Sequence, residues 1–161
     1  MIAIVTLVVA DYDDAIAYYV GKVGFDLVED TSLGDGKRWV VVAPADGGAA
    51  LLLAQADGAR QRERVGDQTG GRVAFFLRTK DFATDYRRMS DAGVRFLEQP
   101  RTEPYGIVAV FEDVYGNRWD LLQPAPSGGP AVGHSEDSGR DEQGGQDEEH
   151  GTLDGLQEPE V

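Results

Sequence analysis

The sequence predicts an α+β fold of two tandem βαβββ modules, forming paired curved four-stranded sheets around a cleft. Three observations predict it. Residues 5–19, "VTLVVADYDDAIAYY", lie over residues 73–87, "VAFFLRTKDFATDYR", at an offset of 68, with apolar positions matching across the first five. After one inserted residue the offset becomes 69. "GFDLVED" from Gly24 then lies over "GVRFLEQ" from Gly93, and "RWVVVAPADGGAALLLAQA" from Arg38 over "IVAVFEDVYGNRWDLLQPA" from Ile107. Within each half, a β-type run gives way to helical spacing and then to three more β-type runs, so the repeat and the periodicity agree.

The elements follow in order. Residues 3–9 and 72–78 are β-branched or aromatic runs and form the first strands. An aspartate opens each helix, Asp11 or Asp13 in the first half and Asp81 in the second, where its carboxylate caps free backbone N–H groups. Ala15, Ile16, Tyr19 and Val23 keep helical spacing, as do Phe82, Tyr86 and Met89. Gly24 and Gly93 suit the left-handed residue that ends a helix. Strands near 25–30, 37–43 and 49–55 complete the first module, and strands near 94–98, 106–112 and 118–123 the second. The link "DGARQRERVGDQTGG" is polar and Gly-rich, as a surface connection is. Half of such a chain buries too little apolar surface to stand alone. Modules of about 1–57 and 71–125 are therefore expected to share one domain, 1–125. Two curved sheets meeting edge to edge would leave a concave cleft, the default place for function.

Composition narrows the chemistry. The 161 residues include no cysteine, two histidines, and 29 acidic against 15 basic side chains, a net charge of −14. Ten acids and one arginine fall in residues 126–161, a Gly-, Ser- and Gln-rich stretch without an aromatic residue. A segment so poor in apolar side chains cannot offset its ordering entropy, so a disordered acidic tail is expected there. The negative charge opposes binding to nucleic acid. No apolar run approaches the ~20 residues that span a bilayer, and the N-terminus lacks a signal-peptide pattern. A cytoplasmic protein with no membrane partner is the expectation. Both histidines, His134 and His150, lie in the tail. Residues 1–125 therefore hold no His or Cys, which excludes Ser-His-Asp and Cys-His catalysis and a histidine-ligated metal site there.

The strand–helix entry "VTLVVADYDDAIAYYVGKVGF", the closing "FEDVYGNRWDLL" and the tandem modules resemble the vicinal oxygen chelate superfamily over residues 1–125. That group includes glyoxalase I, extradiol dioxygenases, fosfomycin-resistance transferases and bleomycin-resistance proteins. The resemblance implies four metal-ligand positions, which fall here on Ile4, Leu51, Arg72 and Asp120. Of these side chains only Asp120 suits a metal, so no metal and no cofactor is expected. Metal-dependent glyoxalase, dioxygenase and fosfomycin-transferase activities are disfavoured accordingly.

Along the last strand Arg118, Asp120 and Leu122 face one way, and Trp119 and Leu121 the other. Asp120 is expected to pair with Arg72 where relatives hold a metal, since a buried carboxylate needs a partner; the alternative is two exposed charges. Ile4, Thr6, Arg72, Ala74 and Phe76 share one strand parity and would line the cleft with Leu51 and Leu53. Trp39 and Tyr105 offer stacking surfaces. The candidate ligand-binding set is Thr6, Arg38, Trp39, Leu51, Arg72, Phe76, Tyr105, Arg118 and Asp120.

Two function classes follow. The first is a metal-independent binding protein of the bleomycin-resistance type, a homodimer by resemblance, sequestering a small planar or cationic molecule. The second is a glyoxalase-like lyase, isomerase or dioxygenase-type enzyme acting on a small carbonyl or enol substrate. Asp120 would be its base, Tyr105 its proton donor, and Arg72 would stabilise oxyanion charge.

Overall fold

A computed structural model of the chain describes residues 1–126, so the expected disordered tail lies outside the described residues. The first module runs β1 (Ile4–Val9), α1 (Tyr12–Tyr18), β2 (Phe25–Gly34), β3 (Lys37–Pro44) and β4 (Ala50–Gln55). After α1 the chain makes a π turn, Tyr19–Val23, and ends it at Gly24 with φ 94°. Asp11 caps α1 by accepting from the Asp14 N–H. A single helical turn, α2 (Ala59–Arg62), interrupts the polar link. The second module runs β5 (Val73–Arg78), α3 (Phe82–Asp91), β6 (Arg95–Phe96), β7 (Arg101–Glu103), β8 (Gly106–Glu112) and β9 (Arg118–Pro124), with Asp81 capping α3.

The first sheet has the order β1-β4-β3-β2. The second has the order β5-β9-β8-β6, and β7 also pairs with β8, so it carries five strands rather than four. The first module keeps the expected βαβββ path, and the second keeps it with one added short strand. The difference lies at "LEQP", residues 97–100, where Pro100 supplies no N–H and Glu98 spends its carboxylate on the Val110 N–H at 3.1 Å. The strand expected at 94–98 therefore stops at Phe96, and pairing resumes at Arg101.

The sheets do not share a ladder. The free edge of β1 is taken by the Gln68 side chain, which accepts from the Val8 N–H at 2.9 Å and donates to the Thr6 carbonyl at 2.7 Å. Instead the helix-bearing sides of both sheets turn toward each other. Leu7, Val9, Val40, Val42 and Leu53 of the first sheet join Ala109, Phe111, Trp119 and Leu121 of the second in one core, with Tyr19 and Met89 from the helices. The Tyr19 ring lies 5.8 Å and the Phe25 ring 6.1 Å from Trp119. The opposite faces of the two sheets are left open.

The closing turn ties the modules together. Asp113, 6% exposed, accepts from the Tyr115 and Asn117 N–H groups and the Asn117 side-chain amide, each within 2.8–2.9 Å. Its Oδ2 also accepts from the Tyr19 hydroxyl at 2.6 Å. Tyr18 donates to the Glu112 carbonyl at 2.7 Å. Burial and the neighbouring Asp113 charge hold both tyrosine hydroxyls well above their ordinary pKa. They act as fixed donors in this seam. The link is wedged against the same turn at Gly66, where φ is 77° and an added Cβ would lie 2.0 Å from the Tyr115 carbonyl oxygen. Gly66→Ala is expected to cost about 2–4 kcal/mol, through both clash and left-handed strain, and a urea midpoint measurement checks it.

Candidate functional site

The side chains that face away from the core form two open sheet surfaces. On the first sheet these are Ile4, Thr6 and Val8 of β1, Leu52 of β4, and Trp39 and Val41 of β3, in register through Thr6↔Leu52 and Val41↔Leu52. This surface is almost wholly apolar. On the second sheet Phe76, Asp120 and Val110 form one row across β5, β9 and β8, with Leu122, Val108 and Arg101 in the next.

The second surface carries the chemistry. Asp120 is 7% exposed, yet its Oδ1 finds no hydrogen-bond partner. Burial pushes this carboxyl above its ordinary pKa; the charge of Arg101 pulls it back and that of Glu98 adds to the rise. Arg101 directs its Nε toward Glu98 at 3.5 Å and Glu103 at 3.6 Å. Its Nη1 is buried and also lacks a partner. An unbonded guanidinium nitrogen and an unbonded carboxylate oxygen thus lie on the same side of the sheet, a costly arrangement.

The expected Arg72–Asp120 ion pair is not formed. Arg72 is exposed in the turn before β5, and Thr69 donates to its carbonyl at 2.8 Å. The cation near Asp120 is Arg101, on the strand that the spacing did not reveal. Leu51 also departs from its assignment: it is 3% exposed and belongs to the core. The physical reason is pleat parity. Carrying the offset of 69 into β4 selects Leu51, but Leu52 is the residue in register with Thr6 on the open face. Leu53 is likewise buried in the core.

The remaining candidates scatter. Thr6, Trp39 and Phe76 stand on open faces, Phe76 at 63% exposure. Arg118 is exposed and reaches the Gly71 carbonyl at 3.4 Å. Tyr105 sits in the β7–β8 turn, its carbonyl accepting from Ala125 at 2.9 Å, beside the Gly106↔Pro124 pair and two pairs beyond the Val108↔Leu122 row.

Arg38 belongs to structure on the other side. It bonds both oxygens of Asp30 at 3.0 and 2.6 Å and Asp13 at 2.8 Å, and lies 5.1 Å from the centre of the Tyr12 ring. The bidentate arginine holds the Asp30 carboxyl below its ordinary pKa. This clamp fastens the projecting β2–β3 hairpin to α1 and so sets the position of Trp39. Arg38→Ala is expected to speed amide hydrogen exchange across residues 29–40 without altering exchange in the second sheet.

The donor set does not fit a divalent ion. Among the described residues no three His, Cys, Asp or Glu side chains converge, and Ile4, Leu51 and Arg72 bring no ligand to Asp120. Two cavities of about 390 and 240 Å³ lie along the seam where residues 44–49 overhang β5 and α3; Leu51 and Phe76 both line the smaller. Sequence reasoning missed Glu98 and Arg101. The signal available was the alternation Arg101, Glu103, but an unrecognised strand hid it.

Comparison with known proteins agrees with this architecture. The chain is 54% identical over 121 residues to an uncharacterised protein of Shewanella frigidimarina, covering 74% of this chain and 90% of that one. It superimposes on the crystal structure of UcmS2 with a TM-score of 0.67 at 30% identity, over 76% of this chain and 96% of that one. It matches TnmS3, described as an antibiotic binding protein from Streptomyces sp. CB03234, with a TM-score of 0.63 at 31% identity, over 78% and 96% of the two chains. The model of one family covers residues 1–121, both modules from β1 into β9: the chain belongs to the Glyoxalase/Bleomycin resistance protein/Dioxygenase superfamily.

Proposed function

We propose that the protein is a metal-independent small-molecule-binding protein of the bleomycin-resistance type. It sequesters a small planar or cationic organic compound on the open face that holds Asp120. Residues 1–125 form the binding domain and 126–161 an acidic tail, and the protein works in the cytoplasm, a compartment consistent with the absence of cysteine. The observation that carries the reading is the buried Asp120 carboxylate, whose Oδ1 has no hydrogen-bond partner, in register with the exposed Phe76 ring. A buried acceptor without a donor on an otherwise finished surface awaits one. The likeness to TnmS3 supports the same class of ligand, and the net charge of −14 favours a cation.

A homodimer completes the site. Ile4 and Trp39 are exposed on the open face of the first sheet, which is apolar in the way that marks an interface. Seating that face of one copy over the second-sheet face of another would give a chamber with an apolar roof and a floor that carries Asp120 and Arg101.

The test is a titration of the full chain with a panel of planar aromatic antibiotics, with and without EDTA, read by tryptophan fluorescence and by recovery of the compound. Saturable binding at about one site per chain, unaffected by chelation, with the compound recovered unchanged, is the expected result. Conversion of the compound would restore the enzyme class. Loss of binding with EDTA would overturn metal independence.

A further inference from the structure

We infer that the ligand presents a neutral hydrogen-bonding edge, one donor beside one acceptor as in a lactam or secondary amide, to Asp120 Oδ1 and Arg101 Nη1. The inference rests on the binding function proposed above and deepens it by naming the recognised chemistry. Three buried side-chain polar atoms lack partners among the described residues: Asp120 Oδ1, Arg101 Nη1 and Trp119 Nε1. The indole belongs to the core side. The other two share the open face, on strands that flank β8 at adjacent rows, Val110↔Asp120 and Arg101↔Val108.

They do not bond each other, although a guanidinium and a carboxylate are strong mutual partners. The reason is local. Arg101 is drawn by its Nε to Glu98 and Glu103, which turns the fork and leaves Nη1 free. Glu98 is itself held by the Val110 N–H. The sheet therefore holds an unbonded acceptor on one side of β8 and an unbonded donor on the other.

Charge selects against an anionic ligand. Three carboxylates surround one guanidinium, so an anionic group is repelled even though an arginine is present. A donor is needed for Asp120 and an acceptor for Arg101, and a neutral lactam offers both on one planar edge. Phe76, in register with Asp120, gives that plane a ring to lie against.

The experiment is isothermal titration calorimetry of the full chain with three probes. These are 2-quinolone, which carries the lactam edge, 2-methoxyquinoline, which has an acceptor only, and quinoline-2-carboxylate. The expected result is 2-quinolone binding tighter than either other probe by about tenfold or more. The preference over 2-methoxyquinoline should collapse to within about twofold in Asp120→Leu, where the lactam N–H loses its acceptor. Arg101→Met, which removes the donor, should weaken 2-quinolone and 2-methoxyquinoline alike. Two separate variants keep the test alive if one fails to fold. Equal affinities in the wild type, a preference that survives Asp120→Leu, or unchanged binding of both probes in Arg101→Met would overturn the inference and leave the binding function standing. A lack of binding by all three probes overturns the inference, and overturns the binding function too if the antibiotic panel also fails. Weakened self-association in Asp120→Leu by sedimentation, with no change in probe binding, would assign the free atoms to a second copy and also overturn it.

Discussion

Asp113→Ala should lower the unfolding free energy by about 3–5 kcal/mol, the largest loss from a single substitution outside the apolar core. One carboxylate satisfies four donors: two backbone N–H groups, the Asn117 amide and the Tyr19 hydroxyl. Asn117 and Tyr19 are buried, so neither can turn to water when the acceptor is gone. Tyr19 also packs beside Trp119, ring centres 5.8 Å apart, in the core that joins the modules, so the damage spreads beyond the turn. Equilibrium urea unfolding measures it. Asp113→Asn should recover part of the loss, because an amide oxygen can still accept while its NH₂ confronts one of the four donors. If Asp113→Ala moved the midpoint by less than 1 kcal/mol-equivalent, roughly the worth of one surface bond, the turn could not be the joint described here.

Asp120 should behave in the opposite way. Asp120→Asn is expected to abolish most ligand binding and yet to stabilise the free protein by about 1–2 kcal/mol at neutral pH, as removal of an unpaired buried charge does. The sign follows from proton linkage. Burial raises the folded-state pKa of Asp120 above its ordinary value. Across the window between the two values the folded chain holds more protons than the unfolded chain, so stability falls as pH rises through it. The asparagine variant lacks that loss. Its advantage over wild type should be greatest above the raised pKa and vanish below about pH 4, where the carboxyl is protonated in both states. Thermal melts of both proteins from pH 3 to pH 8 decide this. Parallel curves would mean that the carboxylate is satisfied in solution.

The opposed fates of Asp113 and Asp120, seven residues apart in "EDVYGNRWD", show where sequence reading runs out. That both lie in a tight turn and a closing strand was legible, because Gly116 and the alternation of Trp119 and Leu121 announce them. Which carboxylate is a joint and which is left with an unbonded oxygen was not. Asp113 meets Tyr19 from a helix 94 residues away, and no local pattern records that contact. The ion pair expected with Arg72 failed for the same reason. Arg72 ends outside the sheet, and the guanidinium near Asp120 comes from β7, a three-residue strand too short to carry a period. Leu51 shows how narrow the margin is. One residue of offset moves a side chain from the open face to the core, so an alignment correct over fifty residues still placed Leu51 on the wrong face of its strand.

By itself the sequence determined the paired βαβββ modules, both aspartate helix caps, the glycine helix ends, the absence of a histidine or cysteine site from residues 1–125, and the family. Each of these is written in neighbouring residues or in a repeat, and each depends on backbone preference or on side-chain type alone. Only the tertiary structure decided that the helix-bearing sides of the sheets turn inward, that Arg101 rather than Arg72 stands near Asp120, and that a donor and an acceptor are left free together. Those outcomes depend on distances between strands remote in the chain. Such distances are set by how one core packs around Tyr19 and Trp119, and side-chain periodicity does not encode them.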